Sequence, residues 1–194
     1  SALVNTGHSY GAAAATPTYT LSSTANGDVL APIFTVTNAA GKAVVDGTAL
    51  GVGTYTITAT SLSATAPALA ANYALATNTS SLFAITPATL TLTGLAVATK
   101  TYDATTAASY TLTGTVGTLS GATSQTLTTT QFANNITGSV FNADVVSVVV
   151  NSVVFNNANV ACSATCDGTN GIAQTALVSA GLTGANAANY VLAI

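Results

Sequence analysis

The chain has 194 residues, room for one large or two small domains, and only 4% of them are charged, against about 25% in ordinary soluble proteins. There is no Arg and no Glu; Lys42 and Lys100 stand beside the single His8, and the net charge is −3, which argues against a nucleic-acid partner because phosphate neutralisation needs clustered cations. The longest apolar run, 145–155, is interrupted by Ser147, Asn151 and Ser152 and falls short of the roughly 18 residues that cross a bilayer, so no membrane span is expected.

In chain order, residues 1–6 read as a short strand and Gly7-His8-Ser9-Tyr10-Gly11 as a turn; Ser1-Ala2 without an initiator Met reads as a processed or excised start. Residues 18–21 and 33–37 are strand-like, and Asn26-Gly27-Asp28 between them offers the positive-φ residues of a tight hairpin. A short strand follows at 43–45. Residues 52–59 alternate, with Tyr55 and Ile57 on one face and Thr54, Thr56 and Thr58 on the other. Residues 71–76 and 81–86 read as closing strands.

A joint falls at Ile85-Thr86-Pro87-Ala88. Pro87 cannot donate to a ladder and sits between two extended runs, and the Thr-Leu alternation of 89–93 opens a new strand, expected to run to Thr99. Two modules are therefore expected, 1–87 and 88–194. In the second, 110–116 alternates, 125–132 reads as a weak strand or one helical turn, and 145–155 as a central strand buried on both faces. Strands at 172–182 and 190–194 complete it. The expected class is mostly β, the first module β-grasp-like and the second larger, with tandem immunoglobulin-like sandwiches as the alternative.

Cys162 and Cys166 lie in the turn-rich stretch Ala161-Cys162-Ser163-Ala164-Thr165-Cys166-Asp167-Gly168. Two thiols and one distant His are too few for a structural zinc, which leaves a local disulfide in an oxidising compartment as the expectation. No catalytic, cofactor or metal residues emerge. His8 has no aligned acid and nucleophile, the five Asp residues sit mostly beside turn residues, and the Asp167 loop lacks the distal Glu of an EF-hand. An enzyme is not expected. A Lys100 isopeptide crosslink, and ice binding by the Thr ladders 89-91-93 and 126-128-130, are further ideas the residues allow.

Two landmarks recur in order. His8-Ser9-Tyr10-Gly11 is matched by Lys100-Thr101-Tyr102-Asp103, 92 residues on, and Asn72-Tyr73 by Asn189-Tyr190, 117 residues on. The second module thus carries 25 extra residues, an excess in which the Cys loop is expected to lie. Lys100-Thr101-Tyr102-Asp103, with Asn189-Tyr190 far downstream, resembles the YDG-type repeat of large secreted bacterial adhesins related to filamentous haemagglutinin. His8-Ser9-Tyr10-Gly11, Val52-Gly53-Thr54-Tyr55, Asn72-Tyr73 and Ile85-Thr86-Pro87-Ala88 are similar to the MBG (mostly β-grasp) repeat. Ala104 departs from the usual Gly of the first motif, and His8 stands where Lys is common in the second.

The resemblance implies an extracellular, repetitive, non-enzymatic stalk or fibre. Tyr10, Gly11, Tyr102 and Asp103 form its structural turn motif. The residues themselves add an expectation. The second module reads as lacking its last strand, so the edges at Ala2, Leu3, Val4 and at Tyr190, Val191, Leu192, Ala193, Ile194 become candidates for head-to-tail strand donation between copies. Excision from a longer tandem array accounts for the same pattern. The expected function is a structural repeat of an extracellular adhesin or biofilm fibre; the alternatives are a filament subunit polymerising by strand donation and a carbohydrate-binding module. Expected partners are copies of the chain or neighbouring repeats, with a glycan or cell surface possible.

Overall fold

The structure, a computed structural model, describes residues 3–5, 7–14, 16–21, 24–44, 50–64, 70–75, 80–101, 103–115, 117–158 and 175–194. It is mostly β and divides into two compact units, Ser1–Pro87 and Ala88–Ile194.

In the first unit, β1 (Leu3–Val4) pairs antiparallel with β3 (Thr18–Tyr19). A five-stranded sheet holds, in order, β2 (His8–Ser9), β7 (Ser80–Thr86), β6 (Gly53–Ala64), β4 (Leu30–Asn38) and β5 (Ala43–Val44). The period-2 pattern decides which face is buried. Tyr55, Ile57 and Ala59 on β6 and Phe83 and Ile85 on β7 point inward, and the Tyr55 and Phe83 rings stack with centroids 5.5 Å apart. Tyr55 keeps its hydroxyl satisfied by donating to the Gly51 carbonyl at 2.8 Å. An early strand joins the last: β2 runs parallel to β7 with His8 opposite Ile85.

The second unit opens with β8 (Ala88–Leu92) and β9 (Ala96–Val97), followed by β10 (Ser109–Thr111), β11 (Leu119–Ser120) and β12 (Gln125–Thr126). The helix α1 (Thr129–Asn135) leads into β13 (Ile136–Thr137), and β14 (Ser147–Phe155), β15 (Ala176–Thr183) and β16 (Tyr190–Ala193) complete it. They form three three-stranded sheets, ordered β11-β10-β9, β12-β14-β15 and β13-β8-β16. The first two are stitched by backbone bonds from Ala108 N to Val153 O and from Val153 N to Gly121 O, both 3.1 Å, an approach so close that a Cβ on Gly121 would collide with the carbonyls of Ala108 and Val153. Leu92, Ala108, Tyr110, Leu112, Leu127, Val148, Val150 and Val153 form the core. At seven residues α1 is too short to persist by propensity; a capping box between Thr128 and Gln131 closes its N-terminus.

Several expectations are corrected. His8–Ser9 is a strand, not part of the turn, because its backbone pairs with β7. Asn26 and Gly27 do have positive φ, 56° and 73°, but the strands they join, β3 and β4, pair with other partners. Residues 71–75 form no strand; the chain turns there, with Tyr73 N donating to Ala70 O. The strand expected over 89–99 breaks at Thr93-Gly94-Leu95, where Gly94 takes φ 69°. The run 145–155 is buried on one face only. Val148, Val150 and Val153 point inward, and a bulge at Asn151 leaves that side chain exposed and restores the alternation. Residues 126-128-130 are no strand ladder, since Thr128 caps α1 and Thr130 lies within it, and Thr93 falls beyond the end of β8.

Candidate functional site

Each unit contains the same clasp. In the first, Ala25-Asn26-Gly27-Asp28 forms a tight turn, with Asp28 N donating to Ala25 O at 3.0 Å. The Tyr73 hydroxyl lies 2.7 Å from Asp28 Oδ2 and accepts from Ala25 N at 3.0 Å. In the second, Phe141-Asn142-Ala143-Asp144 forms the same turn, Asp144 N donating to Phe141 O at 2.9 Å. The Tyr190 hydroxyl donates to Asp144 Oδ2 and accepts from Phe141 N, both 2.8 Å. All four central turn residues are left-handed, Asn26 and Gly27 at 56° and 73°, Asn142 and Ala143 at 54° and 57°. The carboxylate in turn pushes the Tyr73 phenol upward, through its hydrogen bond first and burial second.

The clasp holds an antiparallel strand pair. β4 pairs with β6 in the first unit and β14 with β15 in the second; β14 lies 117 residues after β4 at both ends, and each pair carries one bulge. This relocates the length difference between the units. From Asp28 to Tyr73 is 45 residues and from Asp144 to Tyr190 is 46, so the Cys loop between the latter pair is not the insertion. From Gly11 to Asp28 is 17 residues but from Asp103 to Asp144 is 41, and the added segment folds as β10, β11, β12, α1 and β13. The paired signal was readable in the sequence as Asn-Gly-Asp against Asn-Ala-Asp, 116 residues apart.

Of the turn motif, Tyr10 is buried with its backbone N donating to Thr86 O at 2.8 Å, and Gly11 takes φ 78°. Asp103 lies 2.7 Å from Lys100 Nζ, and its Oδ1 also accepts from Thr105 N and Thr105 Oγ1, each at 2.9 Å. Lys100 Nζ donates further to Thr105 Oγ1, Thr105 O and Ala107 O. The ammonium and the backbone bond hold the Asp103 carboxyl at a pKa of about 2. Amide formation needs a protonated acid, whereas this carboxyl is held ionised, so the crosslink finds no support. Tyr102, Cys162 and Cys166 lie outside the described residues.

A carboxylate with a lowered pKa stabilises the fold above its unfolded value near 4 and loses that contribution as pH falls through about 2. The melting temperature of the parent chain should therefore exceed that of Asp103→Asn at neutral pH, and the two should converge near pH 2. Because Asp103 is exposed, salt should shrink the difference.

The assembly edge divides. Leu3 is buried and Val4 exposed, both within the β1–β3 pair, and Ala2 lies outside the described residues. Residues Tyr190–Ala193 form β16, paired in parallel with β8, Tyr190 opposite Ala88. The strand expected at 190–194 is thus present as β16. What differs is its second ladder. β7 bonds to both β2 and β6, whereas β16 bonds to β8 alone, and β15 has no strand on its outer side among the described residues.

No family model, curated protein or solved structure matches the chain.

Among the described residues, no three His, Cys, Asp or Glu side chains cluster as metal ligands, and no helix is long and apolar enough to cross a membrane. The polar groups brought together here fasten loops to strands.

The clasp yields a test. Ala143 occupies the left-handed position that Gly27 fills in the first unit, and an L-residue with a Cβ is strained there. Ala143→Gly should stabilise the second unit by roughly 0.5–1 kcal/mol, the relief of strain exceeding the extra flexibility of the unfolded chain. Chemical denaturation checks it; a loss of stability would contradict the turn geometry.

Proposed function

We propose that the chain is a structural, non-enzymatic repeat of an extracellular bacterial adhesin or biofilm fibre. The observation that carries the reading is the recurrence, in two tandem units, of one antiparallel strand pair fastened by one Tyr-Asp clasp. A repeated scaffold whose polar groups serve its own turns suits a mechanical role, and near absence of ionic side chains makes such a scaffold insensitive to salt. The resemblance to YDG and MBG repeats points the same way. Four copies joined in one polypeptide should appear by negative-stain electron microscopy as extended rows of particles, unchanged by molar salt; collapse into one compact particle would overturn the proposal.

A second reading, a filament subunit growing by strand addition, is favoured by the outer side of β15, which has no strand partner among the described residues and where Leu177 is 54% exposed. On that reading the purified single chain forms fibres, and Leu177→Pro abolishes them while leaving the first unit's melting transition in place. A monodisperse monomer with β15 protected from hydrogen exchange would exclude it.

A further inference from the structure

The outward face of the first unit's sheet carries a mesh of threonines. Thr35 stands directly opposite Thr58 and Thr37 opposite Thr56, on adjacent antiparallel strands β4 and β6, and Thr54 extends the β6 column by one more step. Directly opposed side chains share a face, and the inward face is fixed by Tyr55 and Ile57, so all five threonines point out. Residues two apart on a strand recur every ~6.7 Å, and adjacent strands lie ~4.8 Å apart. The result is a near-rectangular array of paired methyl and hydroxyl groups.

Three observations limit what such an array can hold. Among the described residues none of the five hydroxyls has a hydrogen-bond partner, whereas Thr60 and Ser63, further along β6, donate theirs to the carbonyls of Ile33 and Ala31. The β7 column beside it, opposite Thr54, Thr56 and Thr58, is Ala84, Leu82 and Ser80, with Leu82 68% exposed; Thr54 is exposed and Thr35, Thr37, Thr56 and Thr58 are half-buried. No charged side chain and no aromatic ring lies on these columns, which removes the groups that would recognise an ionic surface or stack on a sugar. What remains is a surface that orders water: hydroxyls anchor it by hydrogen bonds while the methyls between them leave it no competing partner.

We propose that this face binds ice. The prism faces of ice present oxygens on a mesh whose two sides are close to the strand-repeat and interstrand spacings, so water held on the threonine array is already in register with the crystal. Adjacent strands are rotated by roughly 20–25°, and the paired threonines span a single interstrand step of that twist. The ladders that suggest this activity in the sequence, 89-91-93 and 126-128-130, are not where it resides.

The proposal is independent of the fibre reading, and its test leaves that reading untouched. The full chain, monomeric or assembled, is mixed with slowly growing ice, and crystal faceting and the fraction of protein incorporated are measured. Faceting and enrichment in the ice are expected for the parent chain. Thr56→Lys, which puts a charged, mobile side chain at the centre of the array, should abolish both, and Thr89→Lys, on an outward position of β8, should preserve them. Thr37→Lys gives the same reading from the neighbouring strand should Thr56→Lys prevent folding, as monitored by circular dichroism. Unfaceted crystals and exclusion of the parent chain from ice overturn the proposal. So does undiminished activity in a folded Thr56→Lys or Thr37→Lys variant, or sedimentation showing that these variants dissociate a dimer that buries the face.

Discussion

Replacing Asn135 by Ala should destabilise the second unit by roughly 2–4 kcal/mol. Asn135 is fully buried at the last position of α1. Its Oδ1 accepts from Thr113 N at 2.8 Å, and its Nδ2 donates to Thr113 O at 3.0 Å and to Gln131 O at 2.8 Å. Its own carbonyl receives Thr93 N at 2.6 Å and Thr93 Oγ1 at 3.0 Å. One residue thereby satisfies the chain where β8 ends, where β10 runs out, and where the helix stops. Truncation leaves both backbone groups of Thr113 without this partner and opens a void beside them. Asn135→Asp separates the two contributions, since it keeps the volume and the acceptor but turns a donor toward two carbonyls into a carboxylate. Both variants should lower the urea midpoint of the second unit with little change in slope; a cost below about 1 kcal/mol for Ala would mean that the network is dispensable.

How far the sequence discloses this structure depends on how local the cause is. The ladders at β6, β7 and β8 are visible because each has one wet and one dry face, and alternation records that directly. The break at Pro87 is visible because a missing amide hydrogen is a property of one residue. Residues 71–75 mislead because Tyr73 is apolar enough to suggest a strand, while its hydroxyl is committed to a turn 45 residues earlier. His8–Ser9 misleads in the opposite way, since its short run becomes a strand only through its pairing with β7.

The clasp lies between these cases. Asn-Gly-Asp is recognisable as a turn, but Asn-Ala-Asp is not, because Ala at φ 57° runs against its own preference and is held there by Tyr190 closing on the turn from outside. Once the two turns are matched, the offset of the whole strand pair follows, and the insertion moves from the Cys loop to the segment before Asp144. The threonine mesh could be read only in halves. Thr54-Thr56-Thr58 and Thr35-Thr37 each alternate in the sequence, but their register, which puts Thr56 against Thr37, is a property of the ladder.

Tyr110 carries the second large prediction, and it has two opposite arms. The residue is 0% exposed, enclosed by the core of the second unit with Leu92, Leu112, Val148 and Val150. Removing the ring in Tyr110→Ala should cost about 3–5 kcal/mol, the range for aromatic truncation in a packed core that cannot collapse around the void. The hydroxyl is a different matter, because it is buried without a protein hydrogen-bond partner. A buried polar group in that position is a penalty of about 1–3 kcal/mol, so Tyr110→Phe should leave stability unchanged or raise it. The same burial pushes the phenol pKa upward. The folded state therefore keeps its proton where the unfolded chain releases it, and stability falls as pH rises above the unfolded value near 10. Tyr110→Phe should flatten that alkaline loss. A Phe variant less stable than the parent at neutral pH would show that the hydroxyl is satisfied in solution and that the core around Tyr110 is organised by polarity as well as by packing.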